Sequence, residues 1–202
     1  MTVQKLVIDI RSYWHAGGGR GGGAAQDAIV HRDADNFPIL PGRHLKGLLR
    51  DALEAAEAWG WDGYQGLADT LFGDRTEVSA RSAANSASRP LPGCLRVSSA
   101  TLPPDTRAYL LSSRKDKVPL LFRTLYATAV RHDRGVASDK SLRGIEVAVP
   151  MELEATIEQI GEGEGAGDWP EKLEKALILL NAVGGYRKRG LGRARMRMEV
   201  LS

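Results

Sequence analysis

Near the end of the chain four glycines bracket a run of cations, in Gly184-Gly185-Tyr186-Arg187-Lys188-Arg189-Gly190-Leu191-Gly192-Arg193. Glycine lets a backbone take positive φ and come close to a partner, while arginine and lysine bring charge and hydrogen-bond donors to an anion. That combination suits a polyphosphate. A mononucleotide loop fits less well: the spacing from Gly185 to Gly190 imitates the start of a P-loop, but Leu191-Gly192 stand where Lys-Ser/Thr belong, and Gly190-Leu191-Gly192 lacks the third glycine of a dinucleotide fingerprint. The segment also leaves a helical pattern and enters a strand-like one, the reverse of a P-loop. A polymeric nucleic acid is the better partner. A second set of cations, Arg43, Lys46 and Arg50, recurs on one side of a segment in which Leu45, Leu48, Leu49, Ala52, Leu53 and Ala56 have helical spacing. Cations near a helix start oppose its dipole, a conflict that a bound anion relieves; a solvated basic face is the plainer alternative.

With 202 residues and 43% hydrophobic content, the chain reads as one domain (1–202) carrying insertions, able to bury a sizeable core. A net charge of +3 is only mildly basic, so an argument for nucleic acid rests on local clusters. The single cysteine, Cys94, excludes an internal disulfide and suits a reducing compartment. No apolar run of about 18 residues is present and no signal-like start is visible, so a cytoplasmic protein without membrane partners is expected.

The elements that must position these cations follow from periodicity. Leu6, Ile8 and Ile10 alternate with Lys5, Asp9 and Arg11, predicting a first strand over 3–12 with one buried face. The glycine-rich stretch 17–23 predicts a loop, and 27–33 a short strand entering a turn at Asp33-Ala34-Asp35-Asn36, together a hairpin. A helix is expected over 42–59, then a helical and loop insertion over 59–92 with a mobile Ser/Ala-rich part at 77–89, and a strand over 95–102. The charge-rich stretch 103–143 reads as an insertion projecting from the sheet, and 145–157 as one long strand in which Pro150 marks an edge or bulge. An acidic glycine-rich loop precedes a helix capped by Asp168, with Pro170 in its first turn, running to Gly184-Gly185; the final strand sets Arg193, Arg195 and Arg197 against Ala194, Met196 and Met198. The order is that of an α+β, ferredoxin-like (RNA-recognition-type) βαββαβ sheet with insertions.

Several stretches resemble one family. They are His15-Ala16-Gly17-Gly18-Gly19, Asp27-Ala28-Ile29-Val30-His31-Arg32-Asp33, Leu40-Pro41-Gly42-Arg43-His44-Leu45-Lys46-Gly47-Leu48-Leu49-Arg50 and the C-terminal glycine loop, with weaker echoes at Leu71-Phe72-Gly73, Gly93 to Val97 and Ser141 to Glu146. In order and spacing these resemble the RAMP superfamily of CRISPR systems, and within it the repeated backbone subunit of type III effector complexes. Arg43-His44 depart from the pattern, standing where that family often has small hydroxyl residues.

The resemblance implies a subunit that polymerises with copies of itself and other effector subunits along a CRISPR guide RNA. A thumb-like projection, here 103–143, would interrupt the duplex between guide and target RNA. It places RNA contacts at His15, Arg43, His44, Lys46, Arg50, Gly184, Gly185, Arg187, Lys188, Arg189, Gly190, Gly192 and Arg193. It further implies that Asp27 promotes endonucleolytic cleavage of target RNA with a divalent metal, Mg or Mn, a role suited to a carboxylate that helps stabilise a phosphoryl transition state. His31, Asp33 and Asp35 could enrich such a metal site or be turn and surface residues. Two alternatives stay open: a scaffold without chemistry of its own, and a stand-alone, metal-independent nuclease processing guide precursor through His15 or His31.

Overall fold

The computed structural model describes residues 2–18, 28–74, 91–128, 141–161 and 166–200. Strand β1, Val3–Ile10, turns Leu6, Ile8 and Ile10 into the core, as its alternation requires. It lies between β5, Met151–Gln159, and β6, Ala194–Val200, and pairs antiparallel with both. A short strand, β2, Leu95–Val97, adds to the other side of β5, giving the order β2-β5-β1-β6. Helices α1, Gly42–Ala58, and α4, Trp169–Ala176, connect the first and third of these core strands to the second and fourth. This is the ferredoxin-like arrangement, in which each βαβ half is split by a strand of the other.

One face of the sheet is apolar because three strands agree on it. Leu6 and Ile8 of β1 and Leu153, Ala155 and Ile157 of β5 meet Leu45, Leu49, Leu53 and Ala56 of α1 and Trp169 and Leu173 of α4, all buried in one cluster. Burial of each such side chain is worth about 1.5–3 kcal/mol, so this layer dominates the stability of the domain. Helix α4 is shorter than its pattern predicts, passing into a 3-10 turn at Leu177–Leu179 well before Gly184. Asp168 does not cap it; its carboxylate pairs instead with Lys172, 3.1 Å away.

The long strand expected over 145–157 is two strands in two sheets. The chain bends at Pro150, separating β5 from β4, Arg143–Ala148, which pairs with β3, Phe122–Ala127, in a two-stranded sheet. Trp14, fully buried, ties the sheets together: its backbone exchanges hydrogen bonds with Ala148 at 3.1 and 2.8 Å, and its indole N–H donates to the Val149 carbonyl. Within the 103–143 insertion, α3, Pro104–Ser113, and a 3-10 segment, Lys115–Leu121, precede β3, while 129–140 lie outside the described residues. Helix α2, Leu67–Phe72, falls in the expected 59–92 insertion, whose Ser/Ala-rich part also lies outside them. The expected hairpin after the glycine-rich stretch survives as isolated bridges, Gly17 with Val30 and Arg32 with Pro38, around a turn in which Asp33 Oδ1 accepts from the Asp35 and Phe37 N–H groups at 2.9 Å.

The strand expected over 95–102 is interrupted at Ser98-Ser99, and the interruption seats α1. Ser99 Oγ accepts from the Gly42 N–H at 3.1 Å, and a Cβ at Gly42 would lie 2.5 Å from the Val97 carbonyl oxygen. Gly47, one turn on, has nothing within 4 Å of a Cβ. Gly42→Ala should therefore destabilise by about 1–3 kcal/mol through overpacking. Gly47→Ala should stabilise by about 0.5–1 kcal/mol through helix propensity. Urea unfolding of the two variants checks both signs, and a stabilised Gly42→Ala would show that the helix start does not sit against β2 as described.

Candidate functional site

The glycine loop lies at the C-terminal end of β1 and is bound to it almost entirely through backbone. Going backward from β6, the Arg193 carbonyl accepts from the Arg11 N–H at 2.7 Å, the Gly192 N–H donates to the Tyr13 carbonyl at 2.7 Å, and the Gly185 N–H donates to the His15 carbonyl at 2.6 Å. Ser12 Oγ receives the Arg193 N–H at 2.9 Å and donates to the Gly190 carbonyl at 3.2 Å. Glycine is required at two points, one against the segment beyond β1 and one where the two arms of the loop meet. At Gly184, φ is 77° and a Cβ would stand 2.4 Å from the His15 carbonyl oxygen; at Gly192, φ is 73° and the clash with the Val183 carbonyl oxygen would be 1.9 Å.

Held this way, the loop turns its charges outward. Tyr186, itself at φ 57°, meets the His15 ring edge-on with centroids 5.7 Å apart and starts a 3-10 turn, Arg187–Arg189. Arg187, Lys188 and Arg189 are exposed, and among the described residues none has an ion-pair partner; Arg189 lies 5.7 Å from the Tyr186 ring centroid. Arg193 is exposed as well. Uncompensated cations on a backbone-fixed loop form a surface ready for an anionic polymer.

The other predicted contacts separate into groups. His15 is only 5% exposed, and its Nδ1 lies 2.6 Å from the Glu146 carbonyl, so it supports the loop from beneath. Arg43 is exposed in the first turn of α1, which has no acidic residue in that turn and no side-chain cap. His44 Nε2 accepts the Gly184 N–H at 3.0 Å and so joins α1 to the loop. Lys46, two residues further on a helix of 3.6 residues per turn, points to the opposite flank and lines a groove with Phe72, Gly73 and Leu91. Arg50 is spent inside the fold: its side chain, 11% exposed, bonds Glu54 at 2.7 Å, Asp69 and the Gly73 carbonyl, clamping α2 to α1. The basic face expected along α1 is thus divided, and only its first turn adjoins the loop.

Asp27 lies outside the described residues, but the chain just beyond it is firmly placed by Glu146, from the stretch that the sequence presents as one long strand. Glu146, 6% exposed, accepts from the Val30 N–H at 3.0 Å and from the Arg32 guanidinium at 2.6 Å, while its own N–H donates to the Ala28 carbonyl at 2.9 Å. Its alternation signal is lost because β4 belongs to the second sheet. Asp33 and Asp35 both pair with Arg107 of α3, and Asp33 also closes its own turn, so these two carboxylates are engaged rather than poised for a cation. Among the described residues no group of three or more His, Cys, Asp or Glu side chains could hold a metal.

The open face of the four-stranded sheet does not resemble a base-stacking platform. Its β1 positions are Lys5, Val7 and Asp9, without an aromatic ring, and its charges neutralise one another: Lys5 bonds Glu154 at 3.3 Å and Glu199 at 2.7 Å, and Arg197 bonds Glu199 at 3.0 Å. The basic face expected on β6 is therefore discharged at Arg197. Free charge concentrates instead at the loop.

The His44 contact makes the loop sensitive to pH. Burial, and after it the charge of Arg187, hold the His44 pKa below its ordinary 6.5, against the opposing pull of Asp51. A depressed folded-state pKa means that this contribution to stability is fully present above pH 6.5 and is lost as pH falls through the folded value, where the ring must give up the Gly184 N–H. His44→Gln, whose amide oxygen can accept the same bond without titrating, should lose less stability than the parent between neutral and mildly acidic pH in urea unfolding. Identical losses would remove His44 from the account.

The comparisons with known proteins can be set beside this geometry. No curated protein matches the chain. Among solved structures, a chain of the type III-B Cmr-beta complex bound to cognate target RNA superposes with a TM-score of 0.67 at 11% identity, over 98% of this chain and 97% of that one. A chain of Cmr-beta in its apo state gives a TM-score of 0.65 at 11% identity over the same shares. At that identity the likeness is one of fold. The family model described as RAMP superfamily matches residues 7–195, nearly the whole chain, including the second half of β1, α1 and the complete glycine loop. The chain belongs to the RAMP superfamily.

Proposed function

We propose that the chain is a guide-RNA-binding backbone subunit of a type III CRISPR effector complex, assembling with copies of itself, with other effector subunits and with complementary target RNA. The observation that carries this reading is the loop, in which three exposed cations, without an ion-pair partner among the described residues, stand on a fixed backbone. That backbone is held beside β1 by hydrogen bonds and by a glycine approach that admits no side chain, and is joined to α1 through His44. Membership of the RAMP superfamily and the fold shared with chains of an RNA-bound Cmr-beta complex support the same direction. Arg43, beside the loop at the start of α1, extends the surface, and neutral His44 joins its two parts. The segment 103–143, read from the sequence as a projecting insertion, is the candidate for a thumb between guide and target.

The finer reading assigns cleavage of target RNA to Asp27 acting with a divalent cation, Mg or Mn, which when bound would stabilise the charge developing on the attacked phosphate. The protein's described contribution to this step is positional: Glu146 fixes Ala28, Val30 and Arg32, the residues that follow Asp27 in the chain. The engagement of Asp33 and Asp35 by Arg107 favours the competing reading of a scaffold without chemistry, since neither carboxylate is left poised to share a cation. Precursor processing by His15 is disfavoured by its burial and by the Glu146 carbonyl that occupies its Nδ1.

Combined Arg187→Ala, Lys188→Ala and Arg189→Ala should weaken guide RNA binding and flatten the dependence of log K on log salt by roughly 2 units, at about 0.7 per lost single-strand phosphate contact. An unchanged slope would contradict the RNA-surface reading. Asp27→Ala should abolish target cleavage by the assembled complex while leaving guide binding intact; cleavage that persists would leave the scaffold reading in place.

A further inference from the structure

Arg32 is held in an unusual way for a surface cation. Its guanidinium carbon lies 3.7 Å from the centroid of the Phe122 ring, and one of its nitrogens donates to the buried Glu146 carboxylate at 2.6 Å. Both contacts act on a planar group, holding the guanidinium plate against the ring and the carboxylate where a solvated arginine would be a flexible tether. About a third of the side chain, 34%, remains exposed. That exposure opens into a cleft of about 630 Å³ between the turn at 33–36, the 3-10 segment and β3, within the range of about 300–1,000 Å³ common for small-ligand sites.

The rest of the cleft is asymmetric in charge. Lys115 is exposed and, among the described residues, has no ion-pair partner. Arg123 lines the same cleft, with its guanidinium folded onto the Leu120 and Phe122 carbonyls at 2.9 and 2.7 Å. Its two acids are already neutralised, Glu146 by Arg32 and Asp35 by Arg107. Asn36, at φ 65°, presents a side-chain amide with both donors and an acceptor. A planar cationic plate, a neutral amide and a free ammonium match a heteroaromatic ring with polar edges that carries a phosphate.

We propose that this cleft binds a single unstacked nucleotide, its base laid on the outer face of Arg32 and edge-read by Asn36, its phosphate drawn to Lys115. Arginine planes and aromatic faces are the surfaces on which proteins stack splayed bases, and such stacking tolerates all four bases. The site is separate from the glycine loop, and it rests on the RNA-binding reading only for the source of the nucleotide.

The test uses the full chain, labelled with nitrogen-15, and titrates AMP, ribose 5-phosphate and inorganic phosphate in parallel. AMP should shift the Arg32 Nε–H and Asn36 side-chain amide signals and bind roughly fivefold or more tightly than ribose 5-phosphate, the low end of what one base stack contributes. Arg32→Lys, which keeps a cation for Glu146 but removes the plate, should abolish that preference. Asn36→Gly, which keeps the turn's positive φ, should reduce it. Equal binding of AMP and ribose 5-phosphate would reduce the cleft to a phosphate site and overturn the proposal, as would AMP shifts confined to other residues or absent. The combined Arg187/Lys188/Arg189 variant should retain the AMP shifts, so a failed guide-RNA surface and a failed nucleotide cleft give different results.

Discussion

The structure turns on one close approach, that of the backbone at Gly184, Gly185 and Gly192 to the segment just beyond β1. Two chain segments more than 160 residues apart in sequence share hydrogen bonds from Arg11 to His15, and at Gly184 the approach to the His15 carbonyl excludes a Cβ. This contact fixes where β6 begins and orients Tyr186. It also decides that the cations at 187–189 face solvent instead of folding onto the acidic side chains of the sheet. A backbone-fixed loop loses little conformational freedom on binding, which is how a short cationic segment can contribute affinity beyond its charge.

Glu146 plays the corresponding part on the other side of the domain. A buried carboxylate is costly unless its acceptors are filled, and here Arg32 and the Val30 N–H fill them. Through its backbone the same residue meets Ala28 and His15. One residue in the second sheet therefore ties the segment 28–32 and the ring beneath the glycine loop into one framework. This support gives the described surfaces a fixed relation to one another.

The order of core elements could be read from the chain because Leu6-Ile8-Ile10 and Leu45-Leu48-Leu49-Ala52 each carry a clean local period. So could the glycine loop as a kind of surface, since its residue types are consecutive. What escaped was long-range. Alternation over 145–157 continues across Pro150 even though the strand does not, and Glu146 is buried by a partner strand, Phe122–Ala127, that the charge-rich sequence around it concealed. Arg50 has the type and spacing of a phosphate ligand, and only the arrival of Asp69 and the Gly73 carbonyl from α2 turns it into an internal clamp. Likewise, the pairing of Arg107 with Asp33 and Asp35 joins residues with no sequence relation. Local patterns locate elements, whereas the spending of a charge depends on what the fold brings beside it.

The central claim is that RNA lies along the glycine loop and the start of α1, and not across the self-neutralised open face of the sheet. Photo-crosslinking of the chain to a guide RNA carrying 4-thiouridine, followed by mass spectrometric mapping of the attached peptides, tests it most directly. The account predicts adducts within residues 184–193 and at the first turn of α1. Adducts concentrated on Lys5, Val7 and Asp9 of β1 and the facing residues of β5 would contradict it.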